Sequence, residues 1–564
     1  MSSLAALALS VALIVSACAP AASGPSATPE PVATEPGVGG DDGELMRVGW
    51  GDGPDTLNPA YAFIAQTFTI FPLIYSTLTT QAPDGSYVGD LAESWIRSDD
   101  GLTWTFTLRD GVTYHNGTPL TAEDVAWSIN AIMADPDGWV AMVTYTNGFA
   151  SVEAPDARTL VIATEYPVAN MAYRLSVINI LYRPDFEGFT TPEDLQGFAN
   201  AQAIGSGPFA LEVYDKDQGV VILRRNDTYY GTRSAIPGLV FQVFDNDDAL
   251  VSAIRAGDID VVWSVPSSAY TALQGQPGIV VGRAPSRAFD ELILNVADPA
   301  RDPAPTGNPG LRDTRVREAI NYAINKQDIV DVALSGLGKP EWSIIAPPFG
   351  GGQWYNSALE DRAYDPERAR QLLDEAGFVP GADGIRERDG VRLDLRLEFD
   401  AGAASYARIA SLLEPMLSEV GIRVASQGVD FDTLVAKTTG VGDFDLVIWG
   451  WGGGDPDPDF QLSTMTCEQF ELGGWSDSGY CNPEYDALYL EQQQAVEQTE
   501  RKRIIDAMQA LLHRDLPYIV LYNSENVEAY RSDRFTGFPD YTQNPAIAQT
   551  YTSLFTLLNA RPVE

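Results

Sequence analysis

The sequence predicts an α/β protein built as more than one lobe, and three observations carry that expectation. The runs "IDVVW" from Ile259 and "FDLVIW" from Phe444 are continuously apolar rather than alternating, as strands are when helices cover both faces of their sheet. Segments such as "DPERARQLLDEAGF" carry helix punctuation between such strands. A chain of 564 residues also exceeds what one ordinary core encloses, so two or three lobes are expected, in series or interleaved.

In chain order, the first segment stands outside the fold. "LAALALSVALIVSAC" is a short apolar run that ends in small residues and Cys18, too short for a comfortable membrane span, and it reads as a secretory signal over 1–17. Val15, Ser16, Ala17 and Cys18 resemble the bacterial lipobox, in which the cysteine is acylated and becomes the mature N-terminus; an ordinary signal with an incidental cysteine is the alternative. Several acyl chains on one cysteine give stable anchoring where a single chain gives marginal binding. Residues 18–44 are built from Pro, Ala, Ser, Thr, Gly and acids without apolar periodicity, which predicts a disordered tether.

"MRVGWG" then reads as a strand, and "PDTLNPAYAFIAQTFTIFPLIYSTL" as a loop leading into an apolar helix. "TWTFTLR" alternates, placing Trp104, Phe106 and Leu108 on one face of a half-buried strand. In "TAEDVAWSINAIMAD", Thr121 is the expected N-cap with Asp124 three residues on, followed by Val125, Ile129, Ile132 and Met133 at helical spacing. Asp365 caps the next punctuated helix, Pro366 occupies its first turn and Gly377 ends it. Cys467 and Cys481 stand fourteen apart and, in an oxidising compartment, are expected to pair, two free buried thiols being the alternative.

Composition excludes several functions. The balance is 78 acidic against 36 basic residues, a formal charge of -42, spread along the chain. Such a surface repels nucleic acid and anionic headgroups. The two histidines, His115 and His513, lie in no metal-ligand spacing, and neither a G-x-S-x-G elbow nor a phosphate-binding G-x-x-x-x-G-K-[ST] loop is present.

"WGWGGGDPDPDF", Trp449 to Phe460, follows directly on "FDLVIW", and ligands of open α/β sheets sit beyond strand ends. A calcium loop begun at Asp455 requires Gly at its sixth position and Glu at its twelfth; these are Phe460 and Thr466, and Pro456 and Pro458 stiffen the backbone where it should wrap the ion. An acidic surface turn and one wall of a binding site both remain open.

The ordered motifs resemble the extracellular solute-binding proteins, family 5, which serve ABC importers of peptides, nickel and some oligosaccharides. They include "LNP", "GDLAESW", "DDGLTWTFTLRDGVTYHNGTPLTAEDVAWSI", "GSGPF", "RNDTYYG", "LVSAIRAGDIDVV", "LRDTRVREAINYAINKQDIV" and "GWGGGDPDPDF", in order over nearly the whole mature chain. The resemblance implies a periplasmic-binding-protein-like clamp of two lobes (type II, cluster C) with an extra domain inserted on lobe I. Lobe I would comprise 45–80, 203–285 and 517–564, the inserted domain 81–202, and lobe II 286–516. The lobes would enclose ligand by hinge closure. It further implies a monomeric, non-enzymatic receptor without cofactor or metal. Its partners would be the solute and ABC permease subunits, and it would meet the membrane through the lipid anchor only and bind no nucleic acid.

In similar peptide binders, backbone groups of the loop equivalent to Trp449, Gly450, Trp451, Gly452, Gly453, Gly454 and Asp455 pair with the ligand as an added strand, and the facing loop corresponds to Tyr61, Ala62, Phe63, Ile64 and Gln66. The glycines at 452, 453 and 454 let main chain approach closely, and Trp449 or Trp451 supplies a stacking surface. Relatives of this kind place an aspartate just after the glycine-tryptophan pair to hold a ligand ammonium; here a simple register puts Gly454 there, with Asp455 one residue on. Some also clamp the ligand carboxylate with an arginine before the helix equivalent to "SYARIASLL", where this sequence has "DAGAAS" and carries Arg408 further along. Both departures favour a longer peptide with its termini held elsewhere, or an uncharged ligand such as an oligosaccharide stacking on Trp449, Trp451 and Trp475. The expected protein is an extracytoplasmic, lipid-anchored receptor for a peptide-like solute. A neutral-solute receptor of the same fold is the alternative, and a secreted hydrolase the remote one.

Overall fold

Two long antiparallel strands, Ile279–Leu294 and Tyr518–Arg531, run through the middle of the main sheet and determine its layout. The computed structural model describes residues 45–563 except 266, 302–303, 440, 453–455, 472–473 and 541–549. The expected signal peptide, tether and Cys18 therefore lie outside the described residues, as do Gly453, Gly454 and Asp455. Residues 43–564 form one unit.

The sheet has eleven strands. On one flank of the long pair lie Val261–Val262, Met46–Trp50, Gly238–Val243, Val220–Arg225 and Phe209–Asp215. On the other lie Leu446–Trp451, Asp394–Asp400 and Arg423–Val429. The long strands serve both flanks: Val280 and Val281 pair with Tyr530 and Ala529, beside Val261–Val262, whereas Leu292 and Ile293 pair with Ile519 and Tyr518. Between these halves the register shifts twice, from Pro285 to Phe289 and from Asp290 to Glu291. A bulged register locally breaks the ladder and bends the strand, so the crossing lies here. Tyr518, Ile519, Val520, Leu521 and Tyr522 are buried in the cores of the second flank.

Both sequence-derived central strands are buried on two sides. Leu446 and Ile448 enter a core made with the helices Thr314–Ala323, Pro366–Glu375 and Ala404–Glu419, while Val447 enters another made with Gln498–Asp515. Val261 and Val262 likewise divide between two cores. A continuous apolar run is the pattern that such double coverage requires.

The expected inserted segment holds a four-stranded antiparallel sheet in the order Ala92–Arg97, Thr103–Leu108, Thr159–Thr164, Phe149–Asp156. Trp104, Phe106 and Leu108 alternate inward as the pattern predicts, and helix Ala122–Ala134 packs on this sheet. At that helix's start, the Thr121 N–H donates to Asp124 Oδ2 at 2.8 Å. Its apolar residues share one continuous core with Met46, Ile70 and Phe241. The Asp365 cap, the first-turn Pro366 and a positive-φ Gly377 stand as the sequence predicts. A disulfide joins Cys467 to Cys481. No helix among the described residues is long and apolar enough to cross a membrane.

Candidate functional site

The strand Leu446–Trp451 is half open. Leu446, Val447 and Ile448 pair in parallel with Leu397, Glu398 and Phe399, and the ladder on that side stops at Ile448. On the opposite side pairing continues through Trp449 with Glu291, Gly450 with Asp290 and Trp451 with Phe289. Among the described residues, Trp449, Gly450 and Trp451 thus have a strand neighbour on one side only, and such an edge is a template for another extended chain.

Gly450 and Gly452 lack side chains for different reasons. A Cβ at Gly450 would lie 2.5 Å from Asp290 Oδ1 and 2.7 Å from the Tyr406 hydroxyl. That hydroxyl donates to Asp290 Oδ1 at 2.7 Å, so Gly450 clears room for an internal pair. Among the described residues, a Cβ at Gly452 would meet nothing within 4 Å.

Aromatic rings flank the edge. Phe431, first residue of the helix Phe431–Thr438, stacks on Trp449 with centroids 5.3 Å apart and planes 19° apart. Trp451, Phe460 and Trp475 meet edge to face, at 6.2, 6.4 and 5.5 Å. Phe431 and Trp475 are each 53% exposed. Trp475 belongs to this group as the sequence suggested; Phe431 and Phe460 come from the fold.

The second expected loop is held as a turn by one carboxylate. Asp55 Oδ2 accepts the Phe63 N–H at 3.0 Å and Asp55 Oδ1 the Thr67 hydroxyl at 2.5 Å. Tyr61, Phe63 and Ile64 are exposed, together with Phe68 on the helix Ala65–Ile74, and the Tyr61 and Phe63 rings meet edge to face at 4.8 Å. Ala62 and Gln66, expected to face ligand, are buried, main chain included. No hydrogen bond or ring contact joins this loop to the strand end among the described residues.

Both remaining acids of the "DPDPD" stretch are engaged. Asp457 accepts both arms of Arg501, at 2.6 and 2.7 Å, with both side chains 4% exposed, and Arg501 lies over the Trp354 ring. Asp459 Oδ1 accepts the Gln492 amide at 2.5 Å. Among the described residues no group of three or more His, Cys, Asp or Glu is placed to hold a metal. Arg408 donates twice to the Ala333 carbonyl, at 3.1 and 3.0 Å, and is unavailable as a carboxylate clamp. The histidines are structural as well: His115 joins Gly205 and Gly207, and His513 contacts the Glu360 carbonyl and the Trp342 ring.

Beneath the strand end lies an acidic group that sequence reading missed. Asp290 and Glu291 adjoin in "FDELIL", and their burial raises both carboxyls above the usual range, the Asp477 carboxyl adding to the effect on Glu291. Asp290 is partly relieved by Tyr406 and Tyr522. Asp477 is also raised by burial, with the Trp451 indole beside it acting in the opposite direction. Two adjacent acids in an otherwise apolar strand were the available signal.

A further cavity, of about 450 Å³, lies where the inserted segment meets the second flank, lined among others by Asn170, Tyr173, Trp354, Gln498 and Arg501. Near it the Ala169 N–H donates to the Gln493 carbonyl at 2.9 Å and Arg97 meets Glu497 at 2.7 Å.

Residues 86–470 match the family model described as bacterial extracellular solute-binding proteins, family 5 Middle. The nickel-binding periplasmic protein of Escherichia coli is 27% identical over 388 residues, 67% of this chain and 70% of its own length. The probable D,D-dipeptide-binding periplasmic protein DdpA of the same organism is 26% identical over 520 residues, 90% of this chain and 93% of its own. Among solved structures, the ABC transporter substrate-binding protein CtaP of Listeria monocytogenes superposes with a TM-score of 0.78 at 23% identity, covering 93% of this chain and all of its own.

Proposed function

The chain belongs to the bacterial extracellular solute-binding proteins, family 5, and from that premise we propose that it captures a peptide-like solute between two lobes and delivers it to the permease of an ABC importer. Members of the family are extracytoplasmic binding receptors rather than enzymes, and the chain is one of them. The observation that carries the peptide reading is the one-sided pairing of Trp449, Gly450 and Trp451. An extended ligand adds a strand there, so main-chain hydrogen bonds supply affinity that does not depend on ligand side chains. The exposed rings of Phe431 and Trp475 support the same reading. Dipeptide and nickel relatives differ in cargo, and here Arg408 and the acids Asp457 and Asp459 are occupied internally, which supports a ligand held by its backbone rather than by its charged ends.

In this reading, 45–80 and 203–285 with the C-terminal segment form lobe I, 81–202 is the inserted domain, 286–516 with the first half of the last long strand forms lobe II, and closure pivots at the register shift between Pro285 and Phe289. The loop Tyr61 to Gln66 closes over the strand end, Gly453, Gly454 and Asp455 extend the ligand contact, and the mature protein is a monomer tethered by acylated Cys18.

Incubating the full chain separately with a mixed peptide pool, an oligosaccharide pool and a nickel salt, followed by mass spectrometry of what is retained, tests the proposal. Retained intact peptides with a thermal upshift support it; retention of sugar or nickel alone overturns the peptide assignment. Loss of membrane association in Cys18→Ser tests the anchor.

A further inference from the structure

The strand Asp394–Asp400 occupies the lane beside Leu446–Trp451 and ends where the open edge begins. Side chains of a strand alternate between its two faces. Leu395, Leu397 and Phe399 enter the core that holds Leu446 and Ile448, so Glu398 and Asp400 lie on the opposite face, with Val447 and Trp449. The register on the far side agrees: Asp400 pairs with Val429, which packs on the same core as Trp449 and stands two residues before Phe431. The helix Phe431–Thr438 covers this face, placing Phe431 on Trp449 and Leu434 in that core. The two acids of the face differ in their partners. Glu398 is buried and accepts the Lys437 ammonium of that helix. Asp400, two residues nearer the open edge, is half-buried; its Oδ1 accepts the Gly402 N–H at 2.9 Å, and among the described residues it meets no Lys or Arg. Asp430 is committed to capping the helix through Thr433, and Arg408, on the helix Ala404–Glu419 that follows Asp400, to the Ala333 carbonyl.

A strand added along Trp449, Gly450 and Trp451 continues the lane that ends at Asp400. Residues paired across neighbouring strands point to the same face, whichever way the strands run. A ligand residue paired with Trp449 or Trp451 therefore directs its side chain onto the face of Asp400 and Phe431. Same-face positions along one lane are about 7 Å apart, a span within the reach of a Lys or Arg side chain. A carboxylate without a counter-ion and an exposed ring face attract the same kind of group: the first offers a cation a charge-assisted hydrogen bond, the second its quadrupole. We propose that Asp400 and Phe431 form a specificity subsite for a cationic side chain of the ligand, arginine above lysine, because a planar guanidinium stacks on a ring and pairs with a carboxylate at once. The assignment rests on the peptide reading of the strand edge. It names a ligand class that the edge, by pairing with main chain alone, does not select.

Calorimetry on the full chain tests the subsite with short alanine-based peptides that carry a single Arg, Lys, Gln or Glu, each capped at both ends and uncapped, and with a capped single arginine. The capped Arg peptide is expected to bind at least about tenfold tighter than the Gln peptide, with Lys between them and Glu weakest. Asp400→Asn, which keeps an acceptor for the Gly402 N–H, is expected to remove most of that preference and to leave Gln-peptide binding within about twofold. Should that variant fail to fold, Phe431→Leu takes its place and is expected to lower Arg binding at least about threefold more than Gln binding. Asp432→Asn, at an exposed acid of the same helix, makes the same change in net charge and is expected to leave the preference intact. The subsite is overturned if Arg, Gln and Glu peptides bind alike. It is overturned too if Asp432→Asn removes as much of the preference as Asp400→Asn, since the overall acidic charge would then be its source. A response to Asp400→Asn confined to uncapped peptides also overturns it, because the cation held would be the ligand's end. If no peptide binds but the capped arginine does, and Asp400→Asn abolishes that binding, the peptide reading fails and the subsite stands; if neither binds, both fall.

Discussion

Gly450→Ala tests whether the strand end is shaped from beneath by the Asp290–Tyr406 pair. Gly450 does not have a positive φ, so alanine introduces no backbone strain and, by restricting the unfolded chain, contributes about 0.5–1 kcal/mol of stability. Against this, the new methyl lies 2.5 Å from Asp290 Oδ1 and 2.7 Å from the Tyr406 hydroxyl, well inside contact distance. Overpacking of this kind costs about 1–3 kcal/mol, and disrupting the hydrogen bond to a buried carboxyl costs about 1–3 kcal/mol more. A net loss of about 3 kcal/mol is expected in urea unfolding. Gly452→Ala, with nothing among the described residues within 4 Å of its Cβ, is expected to leave stability within about 0.5 kcal/mol while weakening peptide retention. A Tyr406→Phe background removes one of the two clashing oxygens, so Gly450→Ala should cost less there than in the wild type. If Gly450→Ala proves neutral, or if its cost is unchanged in that background, the strand does not sit on the pair as described.

Arg501→Met leaves Asp457 buried and unpaired, and a loss of about 3–5 kcal/mol is expected by chemical denaturation, most of it recovered when Asp457→Leu is added. Asp313 caps the helix Thr314–Ala323, and the Arg315 guanidinium, helped by Arg388, holds its carboxyl down at about 2. The native state then binds fewer protons than the unfolded one, so the stability it contributes is present above about pH 4 and lost as pH falls through about 2; because Arg315 is half exposed we expect only about 1 kcal/mol, absent in Asp313→Asn acid titrations. Asp455→Ala is expected to weaken peptide binding in calorimetry without altering the melting temperature, whereas Asp459→Ala, by freeing the Gln492 amide, lowers stability by about 1 kcal/mol and leaves binding unchanged. Equal effects of the two on binding would remove Asp455 from the site.

Local patterns in the sequence translated directly into structure wherever the cause is local. The caps at Thr121 and Asp365, the alternation of Trp104, Phe106 and Leu108, and the double burial of "FDLVIW" each depend on a few neighbouring residues or on a single periodicity. What escaped depends on pairing over long separations. Asp457 looked like an exposed acid among prolines until Arg501, 44 residues on, was brought to it. Ala62 and Gln66 appeared available because the turn that buries them is closed by Asp55. In "FDELIL" both faces of the strand are buried, so period-two reasoning cannot tell which acid meets a tyrosine and which is left without a partner.

That ambiguity bears on how the molecule works, because the strand that leaves Glu291 unpartnered is also the one that crosses between flanks. Phe289, Asp290 and Glu291 pair with Trp451, Gly450 and Trp449 immediately after the register shift that begins at Pro285. The pairing of this strand with Leu446–Trp451 runs in register from Phe289 to Leu294, whereas its pairing with Tyr518–Arg531 shifts again between Asp290 and Glu291. The same three residues therefore support the open edge on one side and border the register shift on the other. A carboxyl placed among them without a charge partner is costly to stability unless it is protonated.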